Sequence, residues 1–254
     1  MREKAESTLG KVLVWALLAV TLLVTPLWAL DPINPIKMLA VSATGFMGLG
    51  VLLANQKALQ LGRFKVPLIL ISGFMVWQLV VFVVSGGEKL QQLFGTMGRN
   101  TGFITYLSFS ILFVVSMVAS TSMFLTRFLL VVLVAGVASL GYGLVQGLGV
   151  DPFDWVIPYS PVFGFLGNPN FQSSLLGVLG CVIFAQLFNK APKLPIKSGY
   201  LLYIVVTIYV IRETGSQQGF LILLLGSGVA LGVYAIQRSR ALGYSYVGLA
   251  IISF

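Results

Sequence analysis

The sequence predicts an all-α integral membrane protein, a polytopic bundle of eight transmembrane helices plus an incomplete ninth, with its N-terminus cytoplasmic. Three observations carry that reading. Hydrophobic residues make up 57% of the 254 residues and charged residues 9%, whereas a soluble domain carries about a quarter charged residues. Apolar runs recur at close to the ~20 residues that a helix needs to cross a bilayer. The basic residues alternate between successive connections, as membrane orientation requires.

Taken in order, the apolar runs cover residues 12–30, 38–53, 66–84, 103–120, 128–148, 171–188, 200–211 and 219–236, and a ninth begins at Gly243 and reaches Phe254. The first run is longer than a signal-peptide core and lacks a small-x-small cleavage pattern near Leu30, so it reads as a retained span. The ninth is too short to cross, and a half-span leaves backbone groups unsatisfied in hydrocarbon. The chain therefore reads as one transmembrane helical domain, 1–254, forming the amino-terminal piece of a longer protein.

The Lys and Arg residues sort this topology. Arg2, Lys4, Lys11, Lys57, Arg63, Lys65, Arg127, Lys190, Lys193, Lys197, Arg238 and Arg240 fall before the first run or in every second connection. Only Lys37, Lys89, Arg99 and Arg212 fall in the others. Positive charge marks the cytoplasmic side, so the N-terminus and the basic set are placed inside and the second set outside. Outer loops 85–102, 149–172 and 212–218 are then the chemically richer ones, with Asp151 and Asp154 in the longest. Trp155 and Tyr159 in that loop suit the membrane interface.

Several function classes drop out. The net charge of +9 comes from scattered single residues, without the basic patch and interleaved aromatics of a nucleic-acid binder. The chain has no His, which removes the commonest neutral-pH base and metal ligand. Its single Cys, Cys181, lies in an apolar run and reads as a packing residue. No apolar run carries an ionisable residue near its middle, as a proton- or ion-coupled transporter usually does. Glycines at 45, 48 and 50 and from 136 to 147 read as helix-contact positions, where small residues let backbones approach.

Four outer stretches carry the candidate chemistry. Arg99, in Met97-Gly98-Arg99-Asn100-Thr101-Gly102, precedes a span. There it serves either as an anion contact at a helix N-terminus or as a snorkelling interfacial arginine, with Asn100 or Thr101 as N-cap. In Gly167-Asn168-Pro169-Asn170, Asn-Pro favours a turn and Asn170 is the expected cap of the next helix. Arg212-Glu213-Thr214-Gly215-Ser216-Gln217-Gln218-Gly219 is a polar island between two apolar runs. The run before it spans roughly 18 Å as a helix against a core near 30 Å, so a polar group is expected to be drawn inward at one end, either Lys197 or Arg212-Glu213. Arg212 beside Gln217 and Gln218 is then either a shielded phosphate site or one half of a local pair with Glu213. Asp151 and Asp154 read as solvated carboxylates or, in a perturbing environment, as a base.

The motifs from Gly98 to Tyr106, from Gly164 to Phe171 and from Thr214 to Gly219, in this order and each before a span, resemble the O-antigen ligase family, which includes the O-antigen polymerases. The likeness covers the amino-terminal two thirds or so of that family's core. It implies a cell-membrane glycosyltransferase of polysaccharide biosynthesis. Such an enzyme moves a glycan from an isoprenoid (undecaprenyl-type) pyrophosphate carrier to an acceptor hydroxyl on lipid, sugar or protein, on the outer face of the cytoplasmic membrane. It implies no cofactor and no metal, with Arg99 and Arg212 as pyrophosphate contacts and Asn168, Asn170, Gln217 and Gln218 lining the substrate site. Two departures stand out. A family Ser-Arg-Gly-like step reads Ser216-Gln217-Gln218-Gly219 here, and the later outer loop with its acceptor-activating histidine would lie beyond Phe254, leaving these residues inactive alone. The rival class is a lipid or glycan transporter or a non-catalytic membrane scaffold.

Overall fold

The computed structural model describes residues 2–25, 31–59, 61–155, 160–189, 191–239, 241, 243 and 245. Tyr159, Lys190, Arg240, residues 26–30 of the first run and most of the ninth run lie outside them. Ten α-helices and one 3-10 turn, Leu61–Phe64, are present, with no strand among the described residues. The helices are α1 Arg2–Leu22, α2 Asn34–Ala54, α3 Gln56–Leu59, α4 Lys65–Val84, α5 Lys89–Phe94, α6 Phe103–Ala119, α7 Ser122–Gly147, α8 Pro169–Gln186, α9 Leu194–Glu213 and α10 Gln218–Arg238. Six stretches are long and apolar enough to cross a bilayer: Arg2–Leu22, Asn34–Ala54, Gly62–Val84, Phe124–Gly147, Leu194–Glu213 and Gln218–Arg238. The protein is thus a helical membrane protein. α6, with 17 residues, and α8, with 18, are shorter.

Four helices start well before the apolar runs that announced them; α2 begins at Asn34 and α7 at Ser122, so Lys37 and Arg127 lie on helices, and α1 and α9 show the reasons. α1 starts at Arg2 and ends at Leu22, so Lys4 and Lys11 lie on the helix rather than before it. Its polar first turns are favourable helix sequence. Glu3 sits in the first turn, where the helix dipole favours an acid, and Arg2 pairs with Glu6 one turn on at 2.9 Å. α9 has 20 residues, or about 30 Å, in place of the short span expected from residues 200–211. Pro195 lies in its first turn, where a missing N–H costs nothing. Lys197 is accommodated inside the helix, and its Nζ donates to the Leu187 carbonyl at 3.0 Å. The 20 residues thus take in both Lys197 and Arg212, the two polar groups expected near the ends of this span.

The chain forms two compact units, Met1–Ala135 and Gly136–Phe254, with the boundary inside α7. In the first, α2 and α6 meet along the glycines of α2. A Cβ on Gly45 would lie 3.1 Å from the Ser108 backbone, and one on Gly48 would lie 2.7 Å from Val115 Cγ2. Leu9, Leu52, Leu59, Ile111, Val115 and Val118 fill the space between these helices and α1.

In the second unit α8 is central, packed on α9 and α10. Leu140, Val162, Leu176, Val210 and Ile211 form its apolar core. α8 and α10 come together backbone to backbone, so a Cβ on Gly177 would stand 2.6 Å from the Gly219 carbonyl oxygen. Replacing Gly177 with valine forces that helix pair apart and is expected to cost about 2 kcal/mol, the usual price of overpacking a rigid contact. Gly199→Ala, where a Cβ meets nothing within 4 Å, should be neutral or slightly stabilising. Thermal unfolding of both variants in detergent checks the contrast.

Candidate functional site

In the second unit the loop after α7 is tied to the helix by one buried carboxamide. Gln146, 3% exposed, donates through Nε2 to Asp151 Oδ2 at 2.9 Å. Its Oε1 accepts the N–H groups of Phe163 at 3.2 Å and Gly164 at 2.8 Å. One turn earlier the Tyr142 hydroxyl donates to Asp151 at 2.9 Å and accepts from Trp155 Nε1 at 2.7 Å. The Tyr142 ring stacks on Phe165 with centroids 4.4 Å apart, and Trp155 meets Phe163 edge-on.

Asp151 also takes the Phe153 N–H at 3.1 Å. With donors from Tyr142, Gln146 and Phe153 it is a strut that folds the loop, and neither a solvated carboxylate nor a free base. Asp154 is exposed. Trp155 is folded into the loop by the same network.

The return to α8 is equally constrained. Gly164 takes φ +57° and lies against the Gln172 carboxamide, so a side chain is excluded twice over. Gln172 is fully buried; its Nε2 donates to the Ser139 carbonyl at 3.0 Å and its Oε1 accepts the Ser139 hydroxyl at 2.9 Å. Asn168, not Asn170, caps α8. Its Oδ1 accepts the Asn170 N–H at 2.9 Å, with Pro169 in the first turn. The Asn-Pro order explains this, since proline is preorganised for N1 and the residue before it stays extended. Asn170 is exposed on the first turn of the helix.

The 212–218 loop is held from both sides. Thr214 donates to Ile211 O at 2.6 Å and accepts the Ser216 N–H at 3.1 Å. Ser160 reaches across to the Thr214 carbonyl at 3.2 Å, and Ser173 accepts the Gly219 N–H at 2.7 Å. Ser174 donates to Gln218 Oε1 at 3.1 Å. These bonds set Ser173 and Ser174 of α8 against Gly219 and Gln218 at the start of α10, and Arg212 at the end of α9 leads into the same loop. Arg212, Gln217 and Gln218 are exposed. Among the described residues the Arg212 guanidinium has no hydrogen bond and no ion pair, and Glu213 is not its partner.

Arg99 belongs to the first unit. Its loop turns through positive φ at Gly95, Gly98 and Asn100. The Asn100 carbonyl accepts the Thr105 hydroxyl at 2.7 Å, while Asn100 Oδ1 is buried with no partner among the described residues. Gly102 is the residue before α6 and makes no side-chain cap, so neither Asn100 nor Thr101 caps that helix. The Arg99 side chain is exposed. A cavity of about 140 Å³ lies nearby, with Gln78, Ser85, Gln92, Thr101 and Tyr106 among its lining residues.

Sequence reasoning missed Asp31 here. It accepts N–H groups of Ile33 and Asn34 at 3.1 and 3.0 Å and a backbone hydrogen bond from Gly98 beside Arg99. Burial works against its charge, but the bonds from Asn34, Ile33 and Gly98 outweigh it and hold the carboxyl below its ordinary value. The signal that could have found it is Asp31 three residues before Asn34, an acid placed to bind free N–H groups at a helix start. Gln146, Ser139 and Gln172 were missed because a search for ionisable groups in apolar runs passes over amides and hydroxyls.

No protein-family model, characterised protein or solved structure matches this chain.

Gln146→Leu leaves two backbone N–H groups and an Asp151 oxygen without this partner, and is expected to cost about 2–3 kcal/mol. Hydrogen exchange at Phe163 and Gly164 should rise well above the rise elsewhere in the unit. Asp31 has a depressed pKa, so its contribution is complete above the ordinary carboxylate value and lost as the pH falls through the lower folded value, below about pH 4. Amide protection around Gly98, corrected for intrinsic exchange, should therefore drop over that window, and Asp31→Asn should remove the step.

Proposed function

We propose that this protein binds the pyrophosphate of an isoprenoid-linked glycan and acts in transfer of that glycan to an acceptor hydroxyl, as the resemblance to O-antigen ligases and polymerases implies. The observation that carries the reading is the Arg212 guanidinium, which no described side chain neutralises, on a loop whose backbone is fixed by Ser160, Ser173 and Thr214. A cation next to a loop with a braced backbone, beside a low-dielectric medium, is placed to stabilise the charge that develops on a departing pyrophosphate. Gln217 and Gln218 on the loop after Arg212, and Asn168 and Asn170 at the start of α8, are the proposed neutral contacts for sugar hydroxyls or phosphate oxygens. Arg99, on its own loop in the first unit, is a second proposed anion contact.

The topology that goes with this reading has eight spans, a cytoplasmic N-terminus and these loops on the outer face of the cell membrane. It is supported by the alternation of basic residues along the chain. Lys193 and Lys197 at the start of α9, opposite Arg212 at its end, keep to that pattern. The reading assigns donor binding to these loops.

Lysine at 212 keeps the charge but loses the planar fork that grips two phosphate oxygens. In the full-length protein, transfer from a purified isoprenoid-pyrophosphate glycan should fall about tenfold in Arg212→Lys and about a hundredfold in Arg212→Gln, the scale of losing one transition-state contact. Undiminished transfer in both variants would reject the role. Movement of labelled carrier lipid across vesicles, with no new glycosidic bond formed, would favour a transporter instead.

A further inference from the structure

A cleft of about 700 Å³ lies between the first turns of α1 and the start of α7 and shares no lining residue with the loops discussed above. One wall is apolar, made by Val14, Trp15 and Phe124. Gly10 lets the Phe124 ring lie on the α1 backbone, since a Cβ there would stand 2.9 Å from the ring. The polar part holds Ser7, Lys11, Thr121 and Arg127, with Glu3 and Glu6 at the α1 end.

The charges are not equivalent. Glu6 is already neutralised by Arg2 at 2.9 Å and Arg63 at 3.8 Å. Lys11, Arg127 and Glu3 have no ion pair among the described residues. The cleft therefore presents two uncompensated cations and one carboxylate beside an apolar wall, a net positive charge of one.

From this we infer that the cleft binds a glycerophospholipid through a single headgroup phosphate. Lys11 and Arg127 hold the phosphate, the wall of Val14, Trp15 and Phe124 takes the upper acyl chain, and Glu3 accepts from a headgroup hydroxyl or ammonium. Basic pockets between membrane helices recognise lipid headgroups in this way. Trp15 is 65% exposed, suited to the headgroup level where amphipathic rings settle. The volume lies in the range of roughly 300–1,000 Å³ that encloses an organic ligand and far exceeds the need of a free phosphate ion. Glu3 disfavours a headgroup with two or more negative charges. The site stands independently of glycan transfer, because neither Arg99 nor Arg212 contributes to it.

The test is native mass spectrometry of the full chain in detergent, titrated with phosphatidylglycerol and, in parallel arms, with diacylglycerol and inorganic phosphate. The wild type should retain phosphatidylglycerol in preference to diacylglycerol. Lys11→Gln/Arg127→Gln should weaken retention about twenty- to thirty-fold, from about 1 kcal/mol per basic contact. Lys57→Gln, outside the cleft, should leave retention unchanged. Glu3→Gln removes the opposing charge from an exposed helix start and should tighten retention, which keeps the test decisive should the double variant fail to fold. Equal retention of diacylglycerol, displacement of the lipid by millimolar inorganic phosphate, unaltered binding in a folded double variant, or no tightening in Glu3→Gln each overturns the inference.

Discussion

The second unit depends on one constraint: polar groups carried into a membrane must find partners inside the protein. The Gln146 carboxamide meets that constraint for the longest loop, with three hydrogen bonds from a side chain 3% exposed. Through Asp151 it fixes Tyr142 and Trp155. Through the backbone at Phe163 and Gly164 it sets the path into α8, where Gln172 and Ser139 close a second buried pair. α8 then passes the order on, because Ser173 receives the Gly219 N–H that opens α10. The loop bearing Arg212 is thus the last link of a chain of satisfied amides and hydroxyls beginning on α7.

The class of fold was legible because lipid imposes a coarse, strong signal. A run of about 20 apolar residues has few alternatives to a helix. Helix ends were less legible, since they depend on what polar residues do locally. Lys4 and Lys11 look like a leader when scanned for hydropathy, yet Arg2 and Glu6 at i,i+4 make that stretch good helix. Leu194 to Gly199 looks like a loop, yet a first-turn proline and a lysine that reaches Leu187 make it the start of α9. Caps followed the same pattern: Asn168 and Asn170 are equally good by residue type, and only the intervening proline decides between them.

The candidate site was legible in its charges and illegible in its support. Arg99 and Arg212 stand out in an apolar sequence, and both prove exposed. The residues that hold their loops are serines, threonines, amides and Asp31, types that occur throughout the chain and become distinctive only when their partners are known. Asp151 shows the cost of reading a carboxylate by type alone. Its three donors make it part of the scaffold, although in the sequence it resembles Asp154, which lies exposed three residues on.

The 212–218 loop is braced by hydroxyls, unlike the loops that Asp31 and Asp151 help to fold, and this has a physical reason. A buried ionised group in the framework would carry a desolvation penalty of several kcal/mol and tie the loop geometry to pH. Amides and hydroxyls fix the same backbone at net worth of about 1 kcal/mol per bond, with no titration near neutrality. Uncharged props also leave Arg212 without an ion pair among the described residues. The glycines at 164 and 215, both with positive φ, let the backbone turn within the few residues available between the props. Arg212 ends its helix next to a loop braced by Ser160 and Ser173 and has no ion pair among the described residues, the two features on which the proposed anion-binding role rests.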